Sequence, residues 1–578
     1  MRSREELLGR VRAGAAEGGV LVVGGGINGV GVLRDLARQG VPALLVERGD
    51  FACGTSAAPS RLIHGGLRYL ETGEFALVRE SVEERNHLLT NAPHQVRPLP
   101  VWIPTFSWTG GAFSAALRFL RLRRAPGSKG ALVVRMGLGI FDRFGDVNRT
   151  MPRHRLIPKG EARKRFPQLS PRVSAVLEYY DAKLSSPERL ALEIAADAEE
   201  DCPAALAIPY LAVAGREGDT LRLACELTGE IFRVRPRLVV NCAGPWVDAA
   251  DAAIGIEERL TGGTKGSHLV LDRPDLAAEL GDAMLYFETS DHRACLAYVL
   301  DGGKVLLGTT DLRTEAVDDR LCSEAEIDYL FRVLEEVLPG SAPKRADIAF
   351  AFAGVRPLPR SAAGATGAIS RDHSLRRFDA TPERPFPVFT LVGGKWTTYR
   401  ACAAQITDTV LAELGRPRLR DTLTVQIGGG RGFPREAAAR EAFVARLATE
   451  TGLAGVEAAR LLRRYGMTAF AMASVFEDGR TPLAGAPGYS AEEIRWIIAN
   501  ERATRLDDLV LRRTLIAFDG FANPTSVAAL GALMAEALGW SSERRAEEIA
   551  RALTLLADRH LVKSCQPETP PHALRAVG

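Results

Sequence analysis

The sequence predicts an α/β protein in which a Rossmann-like dinucleotide-binding domain is discontinuous and accompanied by a mixed-sheet substrate domain and a C-terminal all-α domain. Three observations predict this architecture. A glycine fingerprint follows an apolar run near the N-terminus, and two later apolar runs, at 237–243 and 386–392, are typical of strands that return to the same sheet. From Arg416 onward the pattern is almost wholly helical.

The N-terminal stretch has the parts of a dinucleotide fold in their expected order. Residues 20–23 form a short apolar strand, and Gly24, Gly26 and Gly29 follow it with the G-x-G-x-x-G spacing, at the start of a helical pattern. A second strand ends at Glu47, where a carboxylate would hydrogen-bond the ribose hydroxyls of an adenosine. The fingerprint predicts dinucleotide binding without distinguishing FAD from NAD.

Composition limits the function classes. A chain of 578 residues is too long for one core, and a net charge of +3 with interleaved acids and bases predicts no nucleic-acid surface. Eight cysteines without a C-x-x-C pair suit a reducing cytosol and indicate neither a metal site nor a disulfide framework. The charged start predicts no secretory signal, and no stretch reaches the ~20 apolar residues of a transmembrane helix.

Polar and aromatic residues cluster in a loop-like segment just after Glu47. Arg61, His64, Arg68 and Tyr69 lie there in the run SRLIHGGLRYLE. Joined to the glycine fingerprint, this run resembles the membrane-associated, FAD-dependent glycerol-3-phosphate dehydrogenases. The resemblance extends over almost the whole chain, through the blocks NCAGPWVD (241–248), KGSHLVL (265–271), LLGTTD (306–311), AGVRPL (353–358), AISRDH (368–373), VGGKWTTYR (392–400) and NERATRLDDLVLRRT (500–514).

The resemblance implies FAD as the cofactor and hydride transfer from C2 of sn-glycerol 3-phosphate to flavin N5, which yields dihydroxyacetone phosphate. The fingerprint and Glu47 would hold the adenine half of FAD. The residues implied to bind the cofactor are Gly24, Gly26, Gly29, Glu47, Thr55, Ser56, Arg61, Leu62, Gly244, Trp246, Gly354, Thr397 and Thr398. Most family members have lysine in place of Arg61.

The same reaction requires a phosphate clamp, a base and a positive charge near the flavin. Arginine pairs bidentately with phosphate, which favours Arg356 and Arg371, and Arg68 with Tyr69 could complete that pocket. A neutral histidine suits the base, and the sequence does not rank His268 against His64. Lys395 and the helix predicted to begin at Thr397 or Thr398 would stabilise negative charge on the flavin.

The predictions of the electron acceptor and of the cellular location depend on the family resemblance and on the composition of one segment. Between 101 and 145, arginines and lysines interrupt an apolar run (Arg118, Arg121, Arg123, Arg124, Lys129 and Arg135). This pattern is typical of a helix lying on lipid headgroups or of a solvated basic helix. The family favours the first, and therefore peripheral attachment to the cytoplasmic face of the membrane and a quinone acceptor. A homodimer is left open.

Other functions predict other sequence features. An oxidase of the same family would pass electrons to oxygen and form hydrogen peroxide, and the sequence does not separate it from a dehydrogenase. An amino-acid or amine oxidase predicts an apolar or carboxylate-binding pocket instead of clustered arginines. A non-catalytic flavoprotein scaffold predicts loss of the base and the phosphate clamp, which this chain keeps.

The resemblance is poorest between 149 and 207, which leaves room for another phosphorylated polyol as substrate. The family usually has Asp-Ala-Arg-Leu before a long helix, whereas this chain has Pro187, Glu188, Arg189 and Leu190, with Ser186 as the predicted N-cap. We expect six consecutive ranges: 1–100 (FAD-binding, first part), 101–185 (substrate and membrane-facing part), 186–259 (FAD-binding, second part), 260–346 (substrate domain), 347–415 (FAD-binding, last part) and 416–578 (helical domain).

Overall fold

The first sheet is the parallel sheet that the glycine fingerprint predicts. Its short strands, such as VLVV and LVVN, are fully buried because both faces of the sheet are covered. Helices cover one face, and a small three-stranded sheet with two further helices covers the other. All neighbours are parallel except one antiparallel edge strand. In spatial order the strands are Ser374–Phe378, Val388–Val392, Leu238–Asn241, Val20–Val23, Ala43–Glu47 and Ala205–Pro209.

The second sheet is mixed. Its strands pair antiparallel except Met284–Glu288 with Val96–Thr105. The main path runs Leu312–Thr314, Thr261–Leu271, Val305–Gly308, Ala294–Val299, Met284–Glu288, Val96–Thr105, Ala175–Leu184 and Leu62–Ile63, with Ile348–Pro359 on Thr261–Leu271 and Arg155–Pro158 on Ala175–Leu184. A separate antiparallel sheet contains Leu211–Glu217, Thr220–Cys225 and Ile231–Val234.

Strand pairing in the second sheet groups the chain differently from the domain ranges predicted from the sequence. Ile348–Pro359 pairs along most of Thr261–Leu271, so it belongs to this sheet and not to the last part of the FAD-binding domain, 347–415. Leu62–Ile63 lies within the range 1–100 and also joins this sheet. The sequence pattern identifies a strand, but the partner strand depends on contacts between distant segments.

Helices surround the two large sheets and make up the third domain. Those of the first two domains are Arg4–Arg12, Ile27–Arg38, Phe75–Asn91, Ala131–Phe144, Lys159–Arg165, Pro187–Asp201, Val247–Ile254, Pro274–Leu280, Glu324–Val337 and Tyr399–Glu413. Those of the C-terminal domain are Ala437–Thr451, Gly455–Tyr465, Thr468–Ala471, Ala491–Asn500, Leu506–Asp508 with the π-helical turn Leu509–Arg513, Pro524–Leu538 and Ser542–His560. The predicted fold class is therefore confirmed.

The computed structural model describes residues 1–70, 73–109, 130–145, 150–289, 291, 293–360, 373–476 and 479–566. Arg371 lies outside these residues, as do Arg118, Arg121, Arg123, Arg124 and Lys129, and the side chain of Arg68 is also not described. Within the described part of the chain, no helix is both long and apolar enough to cross a membrane.

Candidate active site

The carboxyl ends of the parallel strands converge on one glycine-rich cradle. Gly24 has φ +106°, and a Cβ there would lie 2.7 Å from the carbonyl oxygen of Cys242, which follows the neighbouring strand. A Cβ at Gly29 would overlap the Gly24 carbonyl oxygen. Glycine is therefore required at both positions, and the backbone stays open to a ligand at the edge of the sheet where dinucleotides bind.

Two helix N-termini converge at this edge. Gly26 and Thr398 are the N-cap residues of Ile27–Arg38 and Tyr399–Glu413, and neither makes a cap hydrogen bond through its own side chain. The Ile27 N–H instead donates to the Ser56 hydroxyl at 3.0 Å. A Cβ at Gly394 would overlap the Asn28 amide, whose buried Oδ1 atom has no hydrogen-bond partner among the described residues. Two positive helix-dipole ends and a buried polar atom without a partner fit an anionic dinucleotide such as FAD.

Glu47 lies where a ribose-binding carboxylate is expected. It ends the strand beside Val20–Val23, and its oxygens accept hydrogen bonds from the Gly25 and Gly49 amides at 2.6 and 2.7 Å. Burial raises the pKa of the Glu47 carboxyl, and the two amide hydrogen bonds oppose that shift. The backbone thus orients this carboxylate beside the glycine cradle.

The segment after Glu47 connects the two large sheets. The Thr55 hydroxyl donates to the Val355 carbonyl at 2.6 Å on the second sheet. On the other side, the Trp396 indole donates to the Ser56 carbonyl at 3.0 Å, just before the helix Tyr399–Glu413. The candidate site therefore lies between the carboxyl edge of the first sheet and one face of the second.

Thr397 and Gly354 strengthen the same connection. The Thr397 hydroxyl donates to the His64 carbonyl at 3.3 Å, and a Cβ at Gly354 would lie 2.6 Å from the Ala58 side chain. Gly354 therefore allows the strand Ile348–Pro359 to approach the segment closely. The Leu62 side chain is 8% exposed and packs in the core of the second sheet, and its contact with the cofactor stays a prediction.

Two residues on this face of the second sheet can perform acid–base and anion-binding chemistry. His268 and Arg356 lie on adjacent strands, and alternation along each strand places Gly266 and Gly354 on the same face. A Cβ at Gly266 would overlap the Arg356 guanidinium, so this arginine extends over Gly266 toward His268. The sheet thus brings a cation and an imidazole together.

His268 is held neutral. Its ring is 1% exposed, stacks on Phe352 with centroids 4.8 Å apart, and has Nε2 2.8 Å from the Ser60 hydroxyl. Burial, and then the positive charges of Arg356 and Arg61, lower the pKa of the imidazole to about 3. The ring therefore accepts a proton more readily when a bound anion offsets these charges.

Arg356 is partly open and oriented by polar groups. Its guanidinium donates to Asp311 at 3.0 Å, to the Thr309 hydroxyl at 3.3 Å and to the Thr310 carbonyl at 3.4 Å, and 22% of the side chain is exposed. An arginine held in this way has its guanidinium plane fixed in one direction. This is the geometry that a phosphate clamp requires.

A second cluster of polar side chains lies near the C-terminal end of the segment that follows Glu47. The His64 and Tyr69 rings are 6.3 Å apart, and the Lys395 ammonium lies 4.2 Å from the centre of the Tyr69 ring. Lys395 directly precedes Trp396, so the positive charge lies near the start of the helix Tyr399–Glu413. The structure therefore brings together His64, Tyr69 and Lys395, three of the predicted site residues.

Trp246 and Gly244 follow the strand Leu238–Asn241, as predicted from the AGPW block. Gly244 has φ +59°, and the Trp246 ring lies against Gly54, where a Cβ would be 2.9 Å from it. The Trp246 indole donates to Asp318 at 3.1 Å. Trp246 thus covers the turn that begins the segment Thr55–Tyr69.

Arg61 points away from the predicted cofactor site. Its guanidinium pairs with Glu188 at 2.8 Å, donates to the Ser185 carbonyl at 2.7 Å, and lies 3.6 Å from the centre of the Phe518 ring. The two side chains of the pair are 1% and 2% exposed. We therefore correct the role of Arg61: its side chain joins the second sheet to the C-terminal domain. Arg61 and Glu188, two positions where the resemblance leads us to expect other residues, contact each other.

Sequence reasoning missed the partners of the functional side chains. Ser60 and Asp311 orient His268 and Arg356, and Asn28 contributes the orphaned oxygen beside the glycine cradle. Ser60 and Asp311 lie inside the blocks SRLIHGG and LLGTTD, so the signal was present in the sequence. Among the described residues, no cluster of His, Cys, Asp or Glu could hold a metal ion.

Known proteins resemble the chain along its length. Residues 19–399 match the family described as FAD dependent oxidoreductase, and residues 420–545 match the C-terminal domain of alpha-glycerophosphate oxidase. A glycerol-3-phosphate dehydrogenase of Synechocystis is 35% identical over 72% of this chain and 74% of the relative. A D-erythritol 1-phosphate dehydrogenase of Brucella abortus is 30% identical over 86% and 93%, respectively.

A solved structure shares the fold. The glycerol-3-phosphate dehydrogenase from Bacillus halodurans, complexed with FAD, superposes with a TM-score of 0.73 at 22% identity. The match covers 98% of this chain and 99% of that chain. The arrangement of two sheets and a helical C-terminal domain is therefore common to both proteins.

Proposed function

Since the chain belongs to the family of FAD-dependent oxidoreductases that includes the glycerol-3-phosphate dehydrogenases, we propose that it oxidises sn-glycerol 3-phosphate at C2 to dihydroxyacetone phosphate and passes the electrons to a quinone. FAD is the cofactor of the family, and the glycine cradle with two helix N-termini suits it. The observation that carries the proposal is the neutral His268 beside the partly open Arg356 at the edge of this cradle.

The phosphate of the substrate binds Arg356. Asp311 and the Thr309 hydroxyl fix the guanidinium, so that little side-chain entropy is lost when the phosphate binds. Arg371 is proposed as a second phosphate ligand, and Arg68 with Tyr69 would complete the pocket; Arg371 and the side chain of Arg68 lie outside the described residues. Lys395 would stabilise negative charge beside the helix Tyr399–Glu413, and the bound flavin supplies the hydride acceptor.

His268 is the base we favour, with His64 as the alternative. The Ser60 hydroxyl orients the ring through Nε2, and the neutral imidazole would take up the proton of the C2 hydroxyl. A dianionic phosphate on Arg356 offsets the positive charge that lowers the pKa of His268. Substrate binding therefore makes the imidazole a stronger base at the moment of reaction.

An exposed helix supports attachment to the cytoplasmic face of a membrane. On Ala131–Phe144, Leu132, Met136 and Ile140 recur at a spacing of four residues and are 52%, 67% and 37% exposed. Arg135 and Arg143 lie exposed on the same helix. An apolar stripe flanked by basic residues binds the headgroup region of anionic lipid, where a quinone acceptor is available.

One comparison favours an alternative substrate, and another favours an alternative electron acceptor. The relative named D-erythritol 1-phosphate dehydrogenase favours a four-carbon phosphorylated polyol as an alternative substrate. The C-terminal match to alpha-glycerophosphate oxidase favours oxygen as an alternative acceptor.

The test is anaerobic mixing of the FAD-loaded protein with sn-glycerol 3-phosphate or D-erythritol 1-phosphate. We expect the flavin absorbance to bleach faster with glycerol phosphate. An unchanged spectrum with bound FAD would reject the dehydrogenase, and faster bleaching by the erythritol ester would reassign the substrate. Reoxidation by a soluble quinone and by oxygen then identifies the acceptor, because stoichiometric peroxide at the turnover rate would contradict a quinone.

Arg356→Ala tests the phosphate clamp. Loss of a partly buried arginine–phosphate pair is expected to raise the substrate concentration at half-maximal bleaching by roughly 30- to 150-fold, about 2–3 kcal/mol. Arg332→Ala removes an exposed arginine of the helix Glu324–Val337 and serves as the matched control. His268→Ala should slow bleaching by ~10²–10⁴-fold at saturating substrate. Normal bleaching in His268→Ala and impaired bleaching in His64→Ala would move the base to His64.

A further inference from the structure

A cavity of about 330 Å³ lies at the C-terminal domain, outside the candidate active site. Its walls come from the helix Gly455–Tyr465 and from the segments around 487–489 and 513–521 of the C-terminal domain. The rest of the chain contributes Gln95, Ser185, Ser186, Arg189, Asp301 and Gly302. This volume is in the range of sites that hold small metabolites. None of the residues assigned above to cofactor or substrate lines it.

One wall carries three arginines, two of which form no ion pair with a described residue. Arg460, Arg463 and Arg464 lie on one face of the helix Gly455–Tyr465. Arg464 pairs with Glu493 at 2.9 Å and covers the Tyr489 ring at 3.5 Å. Arg460 has one long hydrogen bond, 3.5 Å to the Gly488 carbonyl, and neither Arg460 nor Arg463 has an ion pair among the described residues.

The other charged residues of the cavity have ion-pair partners, with one exception. Arg189 pairs with Glu501 at 2.7 Å, and Asp301 pairs with Lys183 at 2.5 Å. Asp519 is the exception: its carboxyl lies against Gly302, where a Cβ would overlap it, and makes no hydrogen bond or ion pair with a described residue. Burial raises the pKa of Asp519 to about 6, so this carboxyl can accept or donate a hydrogen bond near neutral pH.

Arg513 contributes to the cavity but does not provide a free charge. Its guanidinium pairs with the fully buried Asp50 of the first domain at 2.6 Å. Thus two arginines without ion pairs face one carboxyl without a partner across a cavity of metabolite size. Two such arginines near each other repel, and a doubly charged anion between them removes that repulsion.

We propose that this cavity binds a small phosphorylated metabolite, with the phosphate held by Arg460 and Arg463 and a hydroxyl group of the ligand hydrogen-bonded to Asp519. The site is distinct from the phosphate clamp at Arg356, which lies on the second sheet and does not line the cavity. Inorganic phosphate and pyrophosphate carry the chemistry that the two arginines recognise, so either serves as a probe.

The test is calorimetric titration of the FAD-loaded enzyme with pyrophosphate at low ionic strength. The titration uses the Arg356→Ala variant, so that pyrophosphate binding at the phosphate clamp does not contribute to the measured heat. We expect saturable binding that Arg460→Ala/Arg463→Ala weakens at least tenfold, about 1.4 kcal/mol. Arg440→Ala/Arg446→Ala, on the neighbouring helix Ala437–Thr451, removes the same charge outside the cavity and should leave the affinity within about twofold.

A second measurement needs no variant. Pyrophosphate should slow phenylglyoxal modification of Arg460 and Arg463 in the unmodified enzyme, as read by peptide mass spectrometry, and leave Arg446 unaffected. Absence of saturable binding at millimolar pyrophosphate, or equal weakening in both double variants, would overturn the proposal. Equal protection of all three arginines would show non-specific charge screening and overturn it as well.

Discussion

Removing Glu188 should destabilise the protein because it leaves Arg61 buried without a counter-ion. The two side chains are 1% and 2% exposed and lie 2.8 Å apart. Loss of one partner of a buried pair costs about 3–5 kcal/mol. Arg61 keeps its hydrogen bond to the Ser185 carbonyl and its contact with the Phe518 ring, so we expect the lower end, ~3 kcal/mol, for Glu188→Ala.

The assay is urea unfolding of the FAD-loaded protein, followed by tryptophan and flavin fluorescence. Glu83→Ala is the matched control, because Glu83 pairs with Arg79 on an exposed helix face and should contribute only about 0.3–0.5 kcal/mol. Arg61→Met/Glu188→Ala removes both charges and should be at least ~1 kcal/mol more stable than Glu188→Ala alone. Equal midpoints for Glu188→Ala and Glu83→Ala would refute the reasoning.

Three further changes have measurable outcomes. Gly29→Ala places a Cβ on an existing carbonyl oxygen and should abolish FAD retention in the purified protein, whereas Gly137→Ala, with open space around it, should retain FAD at the normal ratio. Burial lowers the pKa of His560 to about 4, so the unfolded chain binds an extra proton between pH ~6.5 and 4 and the free energy of unfolding falls as pH falls through that window. His560→Gln should flatten that slope by up to ~1.4 kcal/mol per pH unit, and an unchanged slope would contradict the assignment. Asp50→Asn breaks the buried pair with Arg513 and should increase proteolytic cleavage between the first and C-terminal domains; cleavage at the normal rate would argue against a role in holding them together.

The sequence predicted those parts of the fold in which a local residue pattern is compatible with only one local structure. The spacing of Gly24, Gly26 and Gly29 between a strand and a helix is of this kind, and the first sheet follows from it. Ile348–Pro359 shows the limit, because its composition predicts a strand without specifying which sheet it joins. Pairing between distant segments decides that question.

The candidate site shows the same limit at the level of side chains. Motif blocks pointed to His268 and Arg356, which the structure places on one face of the second sheet. Arg61 came from the same kind of reasoning, yet its guanidinium pairs with a carboxylate 127 residues away. A buried arginine and a ligand-binding arginine look alike in sequence, because burial and the identity of the counter-ion depend on the tertiary structure.

The glycine cradle has a consequence for how the protein acquires its cofactor during synthesis. Gly24 is synthesised early. The neighbouring strands that complete the cradle end near Cys242 and shortly before Gly394, so they are synthesised much later. A nascent chain that has only the first βαβ unit has one of the two helix ends and none of the neighbouring turns. FAD therefore cannot guide folding of the N-terminal half, and its capture should be a late, largely post-translational event.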